Sequence, residues 1–196
     1  MADTSSAATA LHSVFKSTPS RRVRSACALA LAAGNATAMA ADLTNYSSTA
    51  PDSERLVLEP ALAAWKYQPA SEMWRERLTS SSASSTSVSL ACECLAQLGD
   101  TASVPTFLQI TSDSTQDYLR RFAAAKSAAR LQPSETLATA EILGQRGQPE
   151  RLIAVALLDS DLPAALERTT KLCSDPTDAV AAAAWLQMFR RKPELL

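Results

Sequence analysis

Glycine and the residues that favour strands are scarce in this chain. It has 4 glycines among 196 residues, and valine and isoleucine are few. Alanine is instead the commonest residue and leucine follows it, so most segments combine high helix propensity with low strand propensity. The composition therefore predicts an all-α protein.

Histidine is almost absent, because His12 is the only one. A single histidine cannot by itself form a histidine-based metal site or a catalytic histidine network. The cysteines Cys27, Cys92, Cys94 and Cys173 lack a chelating spacing, and Cys92 and Cys94 would point about 200° apart on a helix. We expect reduced, buried thiols, and neither a catalytic residue, a metal nor a cofactor.

An excess of either charge is also missing, since 19 Lys and Arg residues face 20 Asp and Glu residues, for a net charge of −1. This balance provides no general attraction to a nucleic-acid backbone or an anionic bilayer. No apolar run is long enough to span a membrane, and residues 1–16 lack the features of a secretory signal. We expect a soluble, cytoplasmic protein, unless the chain was excised from a larger one.

Apolar residues recur at helical spacing in segments that form consecutive pairs, separated by turn-rich stretches. The serine tract at 80–87 is expected to be a mobile loop, Pro60 to bend its helix, and Gly34 and Gly99 to begin left-handed stops. The six predicted helical pairs are 8–16 with 21–33, 36–45 with 53–67, 71–78 with 88–98, 103–110 with 118–131, 134–146 with 149–158, and 162–172 with 179–190.

A repeat emerges when one aliphatic residue near the start of each second helix is taken as an inward-facing reference. Successive references lie about 27 to 34 residues apart, within the range typical of stacked repeats. Small residues follow a few positions later and allow close helix packing. The reference residues are Val23, Val57, Val88, Leu119, Ile153 and Val180.

Three segments carry a resemblance to a known family: RRVRSACALALAAG from 21, SVSLACECLAQLGD from 87 and YLRRFAAAKSAARL from 118. Each has an aliphatic and basic start, an alanine-rich middle and a final leucine or glycine. With them the chain resembles the HEAT-repeat family, particularly its short, bacterial-type form. The resemblance implies a single domain over 1–196, an α-solenoid of about six helical hairpins with an armadillo-type superhelix.

The resemblance also implies how the chain acts, because second helices line the concave side of HEAT-like stacks. Arg24, Arg55, Arg120 and Arg121 lie early in second helices. We therefore predict that they contact a partner, possibly an acidic one, and that the chain is a non-enzymatic scaffold for protein–protein interaction. Asp–Arg pairs that ladder between HEAT repeats are expected for Asp52 with Arg55 and for Asp113 with Arg120.

Two alternatives stay open at this stage. The chain could be an accessory HEAT-like domain or a fragment of a larger enzyme. It could also bind nucleic acid, since HEAT-like alkylpurine glycosylases use aromatic residues and a carboxylate in a basic cleft, and Trp65, Trp74 and Trp185 are available. The near-zero net charge argues against nucleic acid.

Overall fold

A computed structural model describes residues 4–191, and the regular structure of this part of the chain is all helical, with no strand. The prediction of an all-α protein is confirmed. Short 3₁₀ turns at Thr37–Met39 and Thr101–Ser103 precede two of the helices. The α-helices are α1 Thr4–Ser17, α2 Arg21–Ala33, α3 Ala40–Thr49, α4 Asp52–Ala64, α5 Ala70–Thr79, α6 Ser85–Leu98, α7 Val104–Ser112, α8 Tyr118–Leu131, α9 Pro133–Gly144, α10 Gln148–Leu157, α11 Pro163–Leu172 and α12 Asp178–Arg191.

Consecutive helices form six pairs, each made of an odd-numbered first helix and an even-numbered second helix, and the two members of every pair pack on each other. These are the six predicted pairs, with boundaries shifted by a few residues. The largest shifts, of four residues, are at the start of α1 and at both ends of α3, and α6 begins at Ser85 instead of Val88. Ser84 caps this helix, and its hydroxyl accepts a hydrogen bond from the Ser87 amide at 3.1 Å. Part of the serine tract is thus helical, because serine is an effective N-cap.

Contacts between pairs run mainly through the second helices. Each second helix packs on the second helix of the following pair, from α2 with α4 through to α10 with α12. In the described range, every extensive helix–helix contact joins elements close together in the chain. The core is correspondingly divided into clusters that follow one another along the sequence, the first spanning pairs 1 to 4 and the next pairs 4 to 6.

The inward reference residues are correct for only half of the second helices. Val88, Ile153 and Val180 are buried, whereas Val23, Val57 and Leu119 are exposed. In α2, α4 and α8 the inward slot of the first turn is occupied by arginine, at the fourth residue of the helix. The aliphatic residue nearby lies on a different helical face, because each residue turns the helix by about 100°.

The predictions of left-handed stops after α2 and α6 and of a bend at Pro60 can be compared with the structure. The stop after α2 places Asn35, not Gly34, in the left-handed region with φ of 56°, while Gly99 after α6 has φ of 91°. Asparagine tolerates this conformation better than most residues because its short side chain bonds locally. Pro60 lies inside α4, which continues as one helix from Asp52 to Ala64. The predicted bend at Pro60 stays a prediction.

Candidate partner-binding groove

A groove of about 1130 Å³ runs across the second helices α4, α6 and α8 and reaches the segment between α10 and α11. It is built by residues that repeat at helical spacing, such as Leu119, Phe122, Lys126 and Arg130 on α8. Residues three or four apart share one face of a helix. One face of α8 therefore lines the groove along the length of the helix.

One edge of the groove is apolar and exposed. Leu56 at the start of α4 is 51% exposed and Leu119 at the start of α8 is 59% exposed, and both line the groove. Phe122 lies beside them and stacks on Tyr118, with 5.8 Å between ring centroids. Exposed aliphatic and aromatic side chains that share one concavity are typical of binding surfaces.

The opposite edge is charged. Lys126 and Arg130 of α8 and Glu93 of α6 are exposed and line it. Among the residues that the structure describes, none of these three forms an ion pair or a side-chain hydrogen bond within the chain. Their charged groups are thus available to a ligand, and two of the three are cations on one helix.

Charges at the far end of the groove compensate one another only in part, because two carboxylates face one guanidinium. Arg191 near the end of α12 bonds to Asp159 Oδ1 at 2.9 to 3.0 Å and to Asp161 Oδ1 at 2.7 Å. A fourth bond of 3.0 Å joins Arg191 to the Asp159 backbone oxygen. These contacts connect the α10–α11 segment to α12 and fix the shape of this end.

Three of the four arginines predicted to bind a partner reach the end of the first helix in their own pair. Arg24 Nη2 donates to the Thr18 carbonyl just after α1 at 2.6 Å. Arg55 donates to the Ser47 and Ser48 carbonyls of α3 at 3.0 and 2.9 Å. Arg121, which is buried, donates to the Thr111 carbonyl of α7 at 3.0 Å. The last carbonyls of a helix lack intrahelical partners and carry partial negative charge, which favours such cations.

Arg55, Arg120 and Arg121 also connect neighbouring pairs. Arg121 forms a two-pronged contact with Glu150 of α10, one bond measuring 3.0 Å. Arg55 approaches the Ser87 hydroxyl of α6 at 3.5 Å. Arg120 donates to the Ala83 carbonyl in the loop after α5 and to Gln116 Oε1 at 3.3 Å.

The four arginines lie early in the second helices of pairs 1, 2 and 4, and the bonds above engage their side chains within the chain. Their predicted contact with a partner stays a prediction. Arg151 of α10 is the residue that sequence reasoning missed: it donates to the Thr177 hydroxyl at 2.8 Å and lies 3.4 Å from Asp175 Oδ2. Like Arg24, Arg55 and Arg121 it is the fourth residue of its helix, a spacing that the sequence already contains.

Of the two predicted Asp–Arg pairs, one forms. Arg55 Nη1 donates to Asp52 Oδ1 at 3.2 Å. The prediction that Asp113 pairs with Arg120 is wrong. Asp113 instead accepts bonds from the amide and hydroxyl of Thr115 at 2.9 and 2.6 Å. The Thr115 hydroxyl and amide lower the pKa of Asp113.

A buried polar cluster between pairs 2 and 3 was not foreseen from the sequence. Glu59, which is fully buried, accepts bonds from the Ser47 hydroxyl at 2.8 Å and the Trp74 indole at 3.0 Å. Arg77 donates to both of its carboxylate oxygens at 2.7 Å. A buried charge requires a partner of this kind. The cluster holds α3, α4 and α5 together and lies away from the groove.

The tryptophans and cysteines occupy different environments. Trp74 is buried, Trp65 is half-buried, and Trp185 is exposed with its indole donating to the Cys173 carbonyl at 3.1 Å. None of the three lines the groove. The thiols of Cys27, Cys92 and Cys94 are buried as predicted, whereas Cys173 is half-buried. Burial raises the pKa of Cys92 to about 12, so it stays protonated at neutral pH.

In comparisons with known proteins, no protein-family model matches the chain and no curated protein is similar to it in sequence. Within residues 4–191, no set of three or more His, Cys, Asp or Glu side chains is placed to hold a metal ion. In the same range, no helix has both the length and the apolar character that crossing a bilayer requires.

Proposed function

We propose that the chain is a non-enzymatic, HEAT-like α-solenoid that binds another protein through the groove formed by its second helices. The observation that carries this proposal is the exposed apolar edge of the groove, with Leu56 and Leu119 each more than half exposed. Exposed leucines on two different helices of one concavity have no folding advantage, whereas a bound partner would bury them.

The packing of the helices supports the solenoid part of the proposal. Each pair contacts the next through its second helix, and the core clusters follow one another in chain order. In stacked repeats each unit contacts mainly its neighbours. The arginine contacts, from the end of one helix to the next pair, support the same proposal because they join neighbouring pairs. A row of helical pairs also provides the long surface that a protein partner needs.

The function is tested by affinity capture from a native lysate of the source organism, with the wild-type chain and two variants as bait. The groove variant carries Leu56→Asp and Leu119→Asp. The control carries Val14→Asp and Ile142→Asp, which replace two equally exposed apolar residues outside the groove. Circular dichroism verifies that all three baits are folded.

We expect specific proteins to be retained by the wild type and the control and lost from the groove variant. Retention that is the same on the groove variant and the wild type contradicts the proposal, as does a wild type that retains no protein. Retention of nucleic acid that falls with added salt would instead favour the nucleic-acid alternative.

A further inference from the structure

We infer that the ligand of the groove is an amphipathic α-helix whose polar side is acidic where it crosses α8. This inference rests on the proposed function and names the chemistry of the partner segment. It follows from the distance between the two edges of the groove, from the charges on the charged edge, and from backbone N–H groups that already have hydrogen-bond partners.

The separation of the two edges matches the width of a helix. Leu119 and Lys126 are seven residues apart on α8, which corresponds to about 10 Å at 1.5 Å per residue. A helix with its side chains is roughly 10 to 12 Å across. A helix lying across α4, α6 and α8 would therefore touch the apolar edge with one side and the charged edge with the other.

The charges define the polar side of this ligand. Lys126 and Arg130 are one helical turn apart, and no described residue pairs with either of them. Carboxylates on the ligand would be attracted to both cations, and the low net charge of the chain leaves this attraction local. Glu93 on α6 lies one helix away from them and opposes an acidic ligand at that point. The ligand is thus expected to carry acidic residues where it crosses α8, and not along its whole length.

The backbone of the groove favours a helix over an extended segment. Leu56, Glu93 and Lys126 belong to α-helices whose own ladders use their backbone N–H groups, and the Leu119 N–H donates to Asp117 Oδ1 at the N-cap of α8. An extended peptide would find no strand edge here to pair with, and its backbone groups would lose water without gaining partners. A helical ligand satisfies its own backbone and presents only side chains.

The inference is tested with a synthetic, fluorescein-labelled peptide of 18 residues, about five helical turns. It carries a leucine stripe on one face and glutamates on the other. One control peptide has the same composition in scrambled order. A second has two central prolines, which keep the charge and prevent the helix. Binding to the full chain is measured by fluorescence anisotropy at low salt.

Two substitutions of the chain make the test specific. Lys126→Glu with Arg130→Glu should weaken binding of the helical peptide by about tenfold, because two exposed charge contacts are each reversed. Glu93→Lys should strengthen binding several-fold. Arg22→Glu with Arg146→Glu changes the net charge as much as the first variant but outside the groove, and it should leave the affinity close to that of the wild type.

Equal affinity for the two double variants overturns the inference, as does equal binding of the proline or scrambled peptide. No binding of the helical peptide also overturns it. Its failure is distinguishable from that of the proposed function: if a protein from the lysate still depends on Leu56 and Leu119, the groove binds a partner of another kind. If capture fails too, both proposals are wrong.

Discussion

Arginine at the fourth position of a second helix is the residue-scale feature that recurs most clearly. Arg24, Arg55, Arg121 and Arg151 hold this position in four of the six pairs. Three of them cap the carbonyls that end the preceding helix, and three reach the next pair. The guanidinium suits this role because its five donors form a planar fork that serves several acceptors at once.

Removing Arg121 should destabilise the fold strongly. Its side chain is buried, and Arg121→Met would leave Glu150 and the Thr111 carbonyl without their donor. Breaking a buried ion pair costs about 3 kcal/mol, so we expect a loss of this size in the free energy of unfolding by urea. The control Arg22→Met, at an exposed position, should change it by less than about 0.5 kcal/mol. Similar values for both variants would show that Arg121 has no such structural role.

Glu150 should make the stability dependent on acid pH. Hydrogen bonds from Arg121 lower the pKa of Glu150 below its ordinary value of 4.5. A carboxylate with a lowered pKa in the folded state stabilises the fold above its unfolded pKa, and this contribution is lost as the pH falls through the folded pKa. Glu150→Gln should therefore be less stable than the wild type at pH 7, with a difference that shrinks below about pH 4.5.

Urea unfolding of the wild type and of Glu150→Gln between pH 3 and 7 provides the measurement. Glu135→Gln is the matched control, because Glu135 also lies in the first turn of its helix but is exposed. A difference between the wild type and Glu150→Gln that is the same at every pH would contradict the assignment of the Arg121 contact to the ionised carboxylate.

At the scale of helices, capping side chains, prolines and glycines set most of the helix boundaries. Ser84 and Asp117 cap α6 and α8 with side-chain bonds to the first turn, and prolines occupy the first turns of four helices. Gly99 ends α6 in the left-handed conformation, with no atom near the place of a Cβ. Backbone strain alone therefore determines what a substitution does at Gly99.

Gly99→Ala should lower the free energy of unfolding by about 1 to 2 kcal/mol, the penalty of a left-handed L-residue. Gly147→Ala is the matched control, since the Cβ position is equally open there and φ is −64°. Alanine adopts this conformation without strain, and the control should be neutral or slightly stabilising. Thermal unfolding of both variants measures the effect. Equal melting temperatures would exclude strain at Gly99.

The helical pairs were predictable from sequence because breaks in the apolar periodicity coincide with turn and cap residues. Which face of each helix is buried was less predictable. Val23, Val57 and Leu119 were expected inside, where an aliphatic residue normally lies, yet arginine fills that slot through its acceptors in neighbouring helices. Local periodicity does not contain those acceptors, since they come from other segments.

The groove was predictable only in part, for a related reason. The second helices were expected to present the binding surface, and the groove lies on them. The cations were expected at Arg120 and Arg121, which bond within the chain, while Lys126 and Arg130 on the same helix do not. Two basic residues four apart within an alanine-rich stretch were the available signal, because they share one exposed helix face.

At the scale of the whole molecule, helical pairs that follow one another in the sequence also pack next to one another. Core clusters follow one another from pair 1 to pair 6, and the strongest contacts in the described range join neighbouring pairs. In the proposed solenoid, this order would keep the second helices on one continuous side and make a long groove possible. The proposed binding mode depends on this arrangement, since a compact bundle would enclose the same helices on all sides.

Small-angle X-ray scattering of the monomer tests this arrangement most directly. Six layers of helices about 9 to 10 Å apart form a body nearly 60 Å long, for which we expect a radius of gyration of about 19 Å and an asymmetric distribution of interatomic distances. A compact domain of the same length would have a radius of gyration of about 16 Å. A value near 19 Å is the result predicted for stacked pairs. A value near 16 Å with a symmetric distribution would contradict the solenoid and, with it, the open groove.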